Sequence, residues 1–277
     1  MLVNLKEILD TAVREKYAVA NFNVVNLEMA RGVIEAAEEA DCPVILGIEE
    51  KLLGTCSMYD FSSFVLPMAR MASVPVGVHF DHGYTFEKCT QVLRAGFTSV
   101  NYDCSALPFE ENVEKVRELV KVAHAFGASV EAELGRVPDA SELEERERTD
   151  YHTKPDQACE FAKRTGIDAL AIAAGNAQGT YLSAPNVDFE RIREISDAAK
   201  LPLVLHGGSG LSDGMFRRAI DCGVHKINVF TDIDIACGQG ILQAVNSGLV
   251  KVSDIIPYAV HSVKVQALEK IGLFRNR

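Results

Sequence analysis

A set of polar residues stands at or just past the ends of short apolar runs: Asn23, Glu49, Asp81 with His82, Asp103, Glu133, Asn176 with Gln178, His206, and Asn228 with Thr231 and Asp232. A single aspartate in such a place is most often a helix N-cap, and a single histidine is most often a hydrogen-bonded core residue. Eight strand-end positions together exceed what capping explains, because several precede no helix directly. His82 and His206 are imidazole donors suited to zinc or another transition metal. Asp81, Asp103 and Glu133 beside them would repel one another without a cation. The pattern therefore points to a metal centre. The other histidines read as structural: His79 lies inside a strand, His124 in a helix, His225 at a strand start and His261 in the tail. His152, in a long polar loop, is a weaker candidate.

A second motif suits anions. His206-Gly207-Gly208-Ser209-Gly210-Leu211-Ser212-Asp213 reads as a strand end, a glycine-rich loop and a new helix. Glycines let the backbone approach an anion, and N–H groups at a helix N-terminus hold phosphate. Asn228 to Asp232 would close the same site from the next strand.

The elements that must position these residues are eight apolar runs: 17–22, 43–48, 75–80, 99–102, 129–133, 169–173, 201–206 and 225–229. Most are continuous in Val, Ile and Leu, as in parallel strands covered on both faces. Amphipathic helices are expected between them at 26–40, 112–126, 155–166, 187–200 and 212–222. Pro155 suits the first helical turn and Gly166 a left-handed C-terminal cap. Eight β-then-α units predict an α/β fold, a (β/α)8 TIM barrel, in which strand ends converge on one mouth. No GxGxxG follows the first strand, which disfavours an open dinucleotide-binding sheet. Two segments exceed the repeat. Residues 136–154 are polar and too long for an ordinary connection, so they read as a lid-like loop. Residues 252–272 supply an extra C-terminal helical stretch. No linker-like shift interrupts residues 1–277, which are expected to form one domain.

Composition narrows the function. The chain has 277 residues, 48% of them hydrophobic, and a net charge of −11. A negative surface repels phosphate backbones, which argues against nucleic acid as a partner. No run approaches the ~18 apolar residues of a membrane span, and the N-terminus carries charges instead of an apolar leader core. The seven cysteines are odd in number and form no CxxC pair. That favours a reducing, cytoplasmic setting over a disulfide framework.

Taken together, FNVVNLE (22–28), HFDHG (79–83), Asp103-Cys104-Ser105, VEAELG (130–135), GNAQGTY (175–181), LHGGSGLSD (205–213) and KINVFTD (226–232) resemble the class II, metal-dependent ketose-bisphosphate aldolases of the fructose- and tagatose-bisphosphate type. The resemblance spans nearly the whole chain. It implies a zinc-using barrel, usually a homodimer or homotetramer, with a monovalent cation as a further candidate ion. It implies cleavage of a phosphorylated ketose by retro-aldol chemistry to a dihydroxyacetone-type fragment and an aldehyde. Asp81 resembles the acid/base that exchanges a proton with the C4 hydroxyl. His82 and His206 resemble two of three zinc-binding histidines, while Asp103 and Glu133 resemble acidic residues that meet or support the metal. Gly179, Gly207, Ser209, Asn228 and Thr231 resemble phosphate and substrate contacts, as does Gly208 between them, and Asn23 a substrate-facing amide.

Three positions depart from the family pattern. Gln178 stands where the third metal histidine would be, and a neutral amide is a weaker zinc ligand than imidazole. Glu49 matches a serine that touches the C1 phosphate. The loop acid that would handle the C1 proton has no single match among Glu142, Glu144 and Glu145. These departures leave an alternative: a catalytically weak or inactive paralogue that binds phosphosugars or stabilises a partner subunit. If position 178 faces the metal, Gln178→His is expected to raise zinc affinity, measured by calorimetric titration of both proteins. Equal affinities would show that it faces elsewhere. His82 and His206 are expected to bring ring nitrogens to about 3–3.5 Å of each other, as for tetrahedral zinc.

Overall fold

Eight parallel strands close into a ring in the computed structural model, which describes residues 1–137, 151–177 and 186–275. They are β2 (Val19–Asn23), β3 (Val44–Glu49), β4 (Val76–Gly83), β5 (Ser99–Tyr102), β6 (Ser129–Leu134), β7 (Ala169–Ile172), β8 (Leu203–Leu205) and β9 (Val224–Val229). Each pairs with the next, and β9 returns to β2. Closure leaves no free edge among the eight. This is the expected (β/α)8 barrel, and each apolar run read from the sequence falls on one of its strands. A two-residue strand, β1 (Leu2–Val3), adds to the start of β4.

Helices cover the outside: α2 (Leu27–Glu39), α3 (Met58–Met71), α4 (Phe86–Ala95), α5 (Phe109–Ala125), α6 (Pro155–Thr165), α7 (Phe189–Ala199), α8 (Asp213–Asp221) and α9 (Thr231–Asn246). α6 starts with Pro155 and ends on Gly166 at φ 74°, the left-handed cap that only glycine adopts at little cost. The extra C-terminal stretch is α10 (Val252–Phe274). It lies close enough to α2 that a Cβ on Gly32 would stand 2.7 Å from the Val260 carbonyl oxygen. Among the described residues, no helix is long and apolar enough to cross a membrane.

The barrel interior is layered. α1 (Leu5–Glu15) plugs the N-terminal end, where Leu5, Ile8, Leu9 and Ala12 pack on Val19, Ile45, Ala169, Ala171 and Val204. Two residues further along the strands the interior turns polar, with Asn21, His79, Asn101, Glu131 and Lys226 all fully buried. Two further still come Asn23, Asp81, Glu133 and Asn228 at the mouth, joined by His206 just past the end of the short β8. Spacing by two keeps these layers on one face of each strand. Continuous apolar strands therefore describe only the outer faces and the barrel floor.

Candidate active site

Asp81 and His82 are neighbours, and in a regular strand their side chains would point to opposite faces. A bulge in β4 prevents this. Phe80 pairs with Val100 but Gly83 with Tyr102, so one extra residue is accommodated, and His82 sits at φ 46° in the left-handed region. Left-handed backbone at a non-glycine residue is strained and occurs where surrounding structure holds it. Gly83 closes the bulge; a Cβ there would lie 2.6 Å from the Cys89 sulfur.

The two imidazoles meet as the sequence implies. His206 Nδ1 lies 2.8 Å from His82 Nε2, a hydrogen-bond distance slightly shorter than expected for two ligands of one ion. Each ring is backed by a carboxylate on its other nitrogen. Glu131 stands 2.8 Å from His206 Nε2, and Asp103 stands 3.3 Å from His82 Nδ1. Such backing fixes tautomer and ring orientation in metal sites and raises ligand basicity. Asp81 Oδ1 is 4.0 Å from His82 Nε2 and 3.9 Å from His206 Nδ1. Glu133 is buried nearby, and its Oε2 has no hydrogen-bond partner among the described residues. Asp81, His82 and His206 can offer ligand atoms within 4.8 Å of one another, as can His82, Asp103 and Glu133. Two converging, oriented imidazoles beside an orphaned carboxylate oxygen fit a divalent metal ion.

The charges are strongly coupled. Burial alone would raise Asp81, but His82, His206 and Lys226 outweigh it and hold the carboxyl well below its usual range. Asp81 also accepts hydrogen bonds from Asn23 Nδ2 at 2.7 Å and from Asn228 Nδ2 at 3.0 and 3.1 Å. Burial would lower His82, yet Asp81 and the Asp103 hydrogen bond push it up to about 10. Burial and repulsion from Asp103 raise Glu133 to about 7. One carboxylate is thus kept ionised, and the other is poised near neutrality.

A cleft of about 230 Å³ opens directly over these groups. It is lined by the glycine-rich turn Gly207-Gly208-Ser209 with Asn228, Phe230 and Thr231, and also by Glu49, Lys51 and Leu52. The N-termini of α8 and α9 lie next to the turn, and Phe230 at the start of α9 contributes no side-chain cap. Uncapped N–H groups and two helix dipoles suit an anion. Ser209→Ala is expected to weaken binding of inorganic phosphate or a sugar phosphate several-fold in a calorimetric titration. Gly208 is a poorer probe, because any Cβ there would meet the Asn228 carbonyl oxygen at 2.8 Å and disturb the backbone itself. Undiminished phosphate binding by Ser209→Ala would take the serine hydroxyl out of the anion site.

Comparison with known proteins accords with this geometry. The model of the family "fructose-bisphosphate aldolase class-II" matches residues 3–277. The chain belongs to the class II fructose-bisphosphate aldolase family. It is 44% identical to a fructose-bisphosphate aldolase of Geobacillus stearothermophilus, over 87% of this chain and 84% of that protein. It is 41% identical to the uncharacterized protein YdjI of Escherichia coli K12, over 99% and 98% of the two chains. The crystal structure of the YdjI aldolase from the same organism superposes with a TM-score of 0.89, covering 99% of this chain and 97% of that one. As a class II aldolase the protein is a metal-dependent carbon–carbon lyase that acts by retro-aldol cleavage.

Of the aldolase residues anticipated from the sequence, Asn23, Asp81, His82, Asp103, Glu133, His206, Gly207, Gly208, Ser209, Asn228 and Thr231 gather at the mouth. Gln178, Gly179 and the loop acids Glu142, Glu144 and Glu145 lie outside the described residues. Asn176 is structural: it accepts from the Ala174 N–H at 2.8 Å and donates to the His206 carbonyl at 3.0 Å, tying the β7 turn to the β8 turn. The base of the 136–154 excursion is likewise tied down. Arg136 N–H donates to the Tyr151 carbonyl at 3.2 Å, and Thr153 N–H to that of Ala173 at 2.9 Å. His79 bonds Ser99 Oγ through Nδ1 at 2.9 Å, as a core histidine should. Sequence reasoning missed Glu131 and Lys226, charged residues inside strands at full burial. Their alternation with Glu133 and Asn228 was the available signal.

Proposed function

We propose that this aldolase cleaves a ketose carrying one phosphate, with zinc held by His82 and His206. The observation that carries the reading is the convergence of two carboxylate-backed imidazole nitrogens, 2.8 Å apart, beside an ionised Asp81 and under an anion-suited turn. When bound, the metal supplies Lewis-acid polarisation of the ketose carbonyl. The phosphate anchors on Gly207–Ser209 and the Asn228–Thr231 turn. Asp81, unprotonated and oriented by Asn23 and Asn228, takes the proton of the C4 hydroxyl as the C3–C4 bond breaks. Glu133 supports the metal site or meets the ion directly.

Glu49 bears on the substrate. Its carboxylate is buried in the cleft wall and pairs with Lys51 at 2.8 Å. A carboxylate there repels a second phosphate and accepts hydroxyl hydrogen bonds, which favours a neutral, hydroxylated substrate group beside Glu49. The test is metal content after purification without chelator, combined with cleavage assays over ketose mono- and bisphosphates. Metal-free, inactive protein would instead support a non-catalytic, phosphosugar-binding paralogue, and preference for a bisphosphate would overturn the role given to Glu49.

A reducing, cytoplasmic setting is part of this reading, supported by the odd count of seven cysteines and by the sequence having no CxxC pair. α9 and α10 expose Ile235, Ile241, Leu242, Val245, Val252 and Val265. Exposed apolar residues on two successive helices support the reading of a homodimer or homotetramer. A monomeric mass by light scattering would exclude both.

A further inference from the structure

We propose that Lys226, which lies below the mouth and does not line the cleft, is a positioning residue that orients the metal ligand His206 and the amide of Asn228 together. The inference rests on the reading of His82 and His206 as the metal-holding pair. Lys226 is fully buried, an environment that a lysine tolerates only when paired. Its ammonium has two neighbours, each 2.8 Å away: Glu131 Oε2 and Asn228 Oδ1. The contact with Glu131 is a charge pair outside hydrogen-bonding angles; that with Asn228 is a hydrogen bond.

Each neighbour leads to one half of the reaction centre. Glu131 Oε1 faces His206 Nε2 at 2.8 Å and also accepts from Asn101 Nδ2 at 2.9 Å. A carboxylate with the Lys226 charge against its other oxygen stays ionised and accepts a hydrogen bond from His206 Nε2–H, which leaves Nδ1 as the lone-pair nitrogen, turned towards His82. On the other side, an ammonium has only donors and an ionised carboxylate only acceptors. Asn228 sits between the two, so its amide has one allowed orientation: Oδ1 to Lys226 and Nδ2 to Asp81. A single cation thereby sets the tautomer of a metal ligand and the flip of the amide that holds the acid/base carboxylate. Without it, each choice rests on one carboxylate alone and is held less firmly.

Removing the cation also strands a buried carboxylate, so loss of function in Lys226→Met alone would not distinguish positioning from folding. The experiment therefore compares the wild-type chain, Lys226→Met and the charge-balanced Lys226→Met/Glu131→Gln by thermal melting and zinc calorimetry. Lys226→Met is expected to melt roughly 10 °C lower, as for a broken buried pair. The double variant should recover most of that loss, and Lys226→Met, which keeps Glu131 and is titrated below its melting temperature, should bind zinc about 10–100-fold more weakly than wild type, the usual effect of losing a group that orients a ligand. Wild-type zinc affinity in folded Lys226→Met would overturn the inference and leave Lys226 as a charge balance only. Failure of wild type itself to bind zinc would instead strike at the metal reading. Wild-type protein gives an independent arm. Long-range nitrogen–proton NMR of metal-free protein should show His206 protonated at Nε2 and bare at Nδ1, and the opposite tautomer would refute the proposal even if neither variant folds.

Discussion

Asp81→Asn is expected to reduce aldol cleavage by about 10²–10⁴-fold, the range of a lost general acid/base. Asp81 is the carboxylate that two amides and two imidazoles surround, and its neighbours keep it unprotonated despite near-complete burial. The asparagine variant retains shape but cannot take a proton. It also turns an amide towards Asn23 and Asn228, whose Nδ2 groups both donate to this site, so one carbonyl oxygen must satisfy two donors where two oxygens did before. The loss should therefore appear in kcat, with a smaller change in KM, if the phosphate anchors on the turn at Gly207–Ser209 as proposed and not on Asp81. Zinc content measured on the same preparation separates this effect from loss of the ion. A kcat within tenfold of wild type, with zinc retained, would move the proton transfer to another group.

The second large effect is the dependence of metal binding on pH. Chelation should abolish cleavage, and added zinc should restore it. A histidine must be neutral to ligate, and His82, raised to about 10 by Asp81 and Asp103 against the opposing effect of burial, carries a proton at neutral pH in the metal-free protein. Each ion bound expels that proton, so zinc affinity should rise by roughly tenfold per pH unit up to about 10. Glu133, raised to about 7, adds a second proton below neutrality if it meets the metal.

Stability of the metal-free protein runs the other way. The usual value for His82 is 6.5, so its stabilising contribution is complete below pH 6.5 and is lost as pH rises from there through 10. Glu133, raised from 4.5 to about 7, binds its proton more tightly folded than unfolded and loses its contribution between those values. Melting temperature without metal should therefore fall towards alkaline pH, while the increase on adding zinc should grow. Calorimetry in buffers of different ionisation enthalpy would count the protons released. A zinc affinity constant between pH 6 and 9, with no proton release, would rule out His82 as the exchanging ligand.

The linear order of residues determined much of this protein. Strands were legible because their outward faces are runs of Val, Ile and Leu, and their ends were legible because polar residues interrupt those runs. The Gly207–Gly210 turn was legible because glycine in that number before a helix has few other uses. The tertiary structure alone decided three things. The bulge at His82 lets adjacent residues 81 and 82 share one site, which strand periodicity by itself forbids. Asn176, spaced like a site residue, proved to be a tie between turns, since its partner is a backbone carbonyl thirty residues away. Glu131 and Lys226 became a buried pair only when β6 and β9, three strands apart, turned the same layer towards the interior of one closed ring. A sequence records which residues carry charge. It does not record which charges a low-dielectric interior will bring within 3 Å, because that depends on closure of the barrel, to which every strand contributes at once.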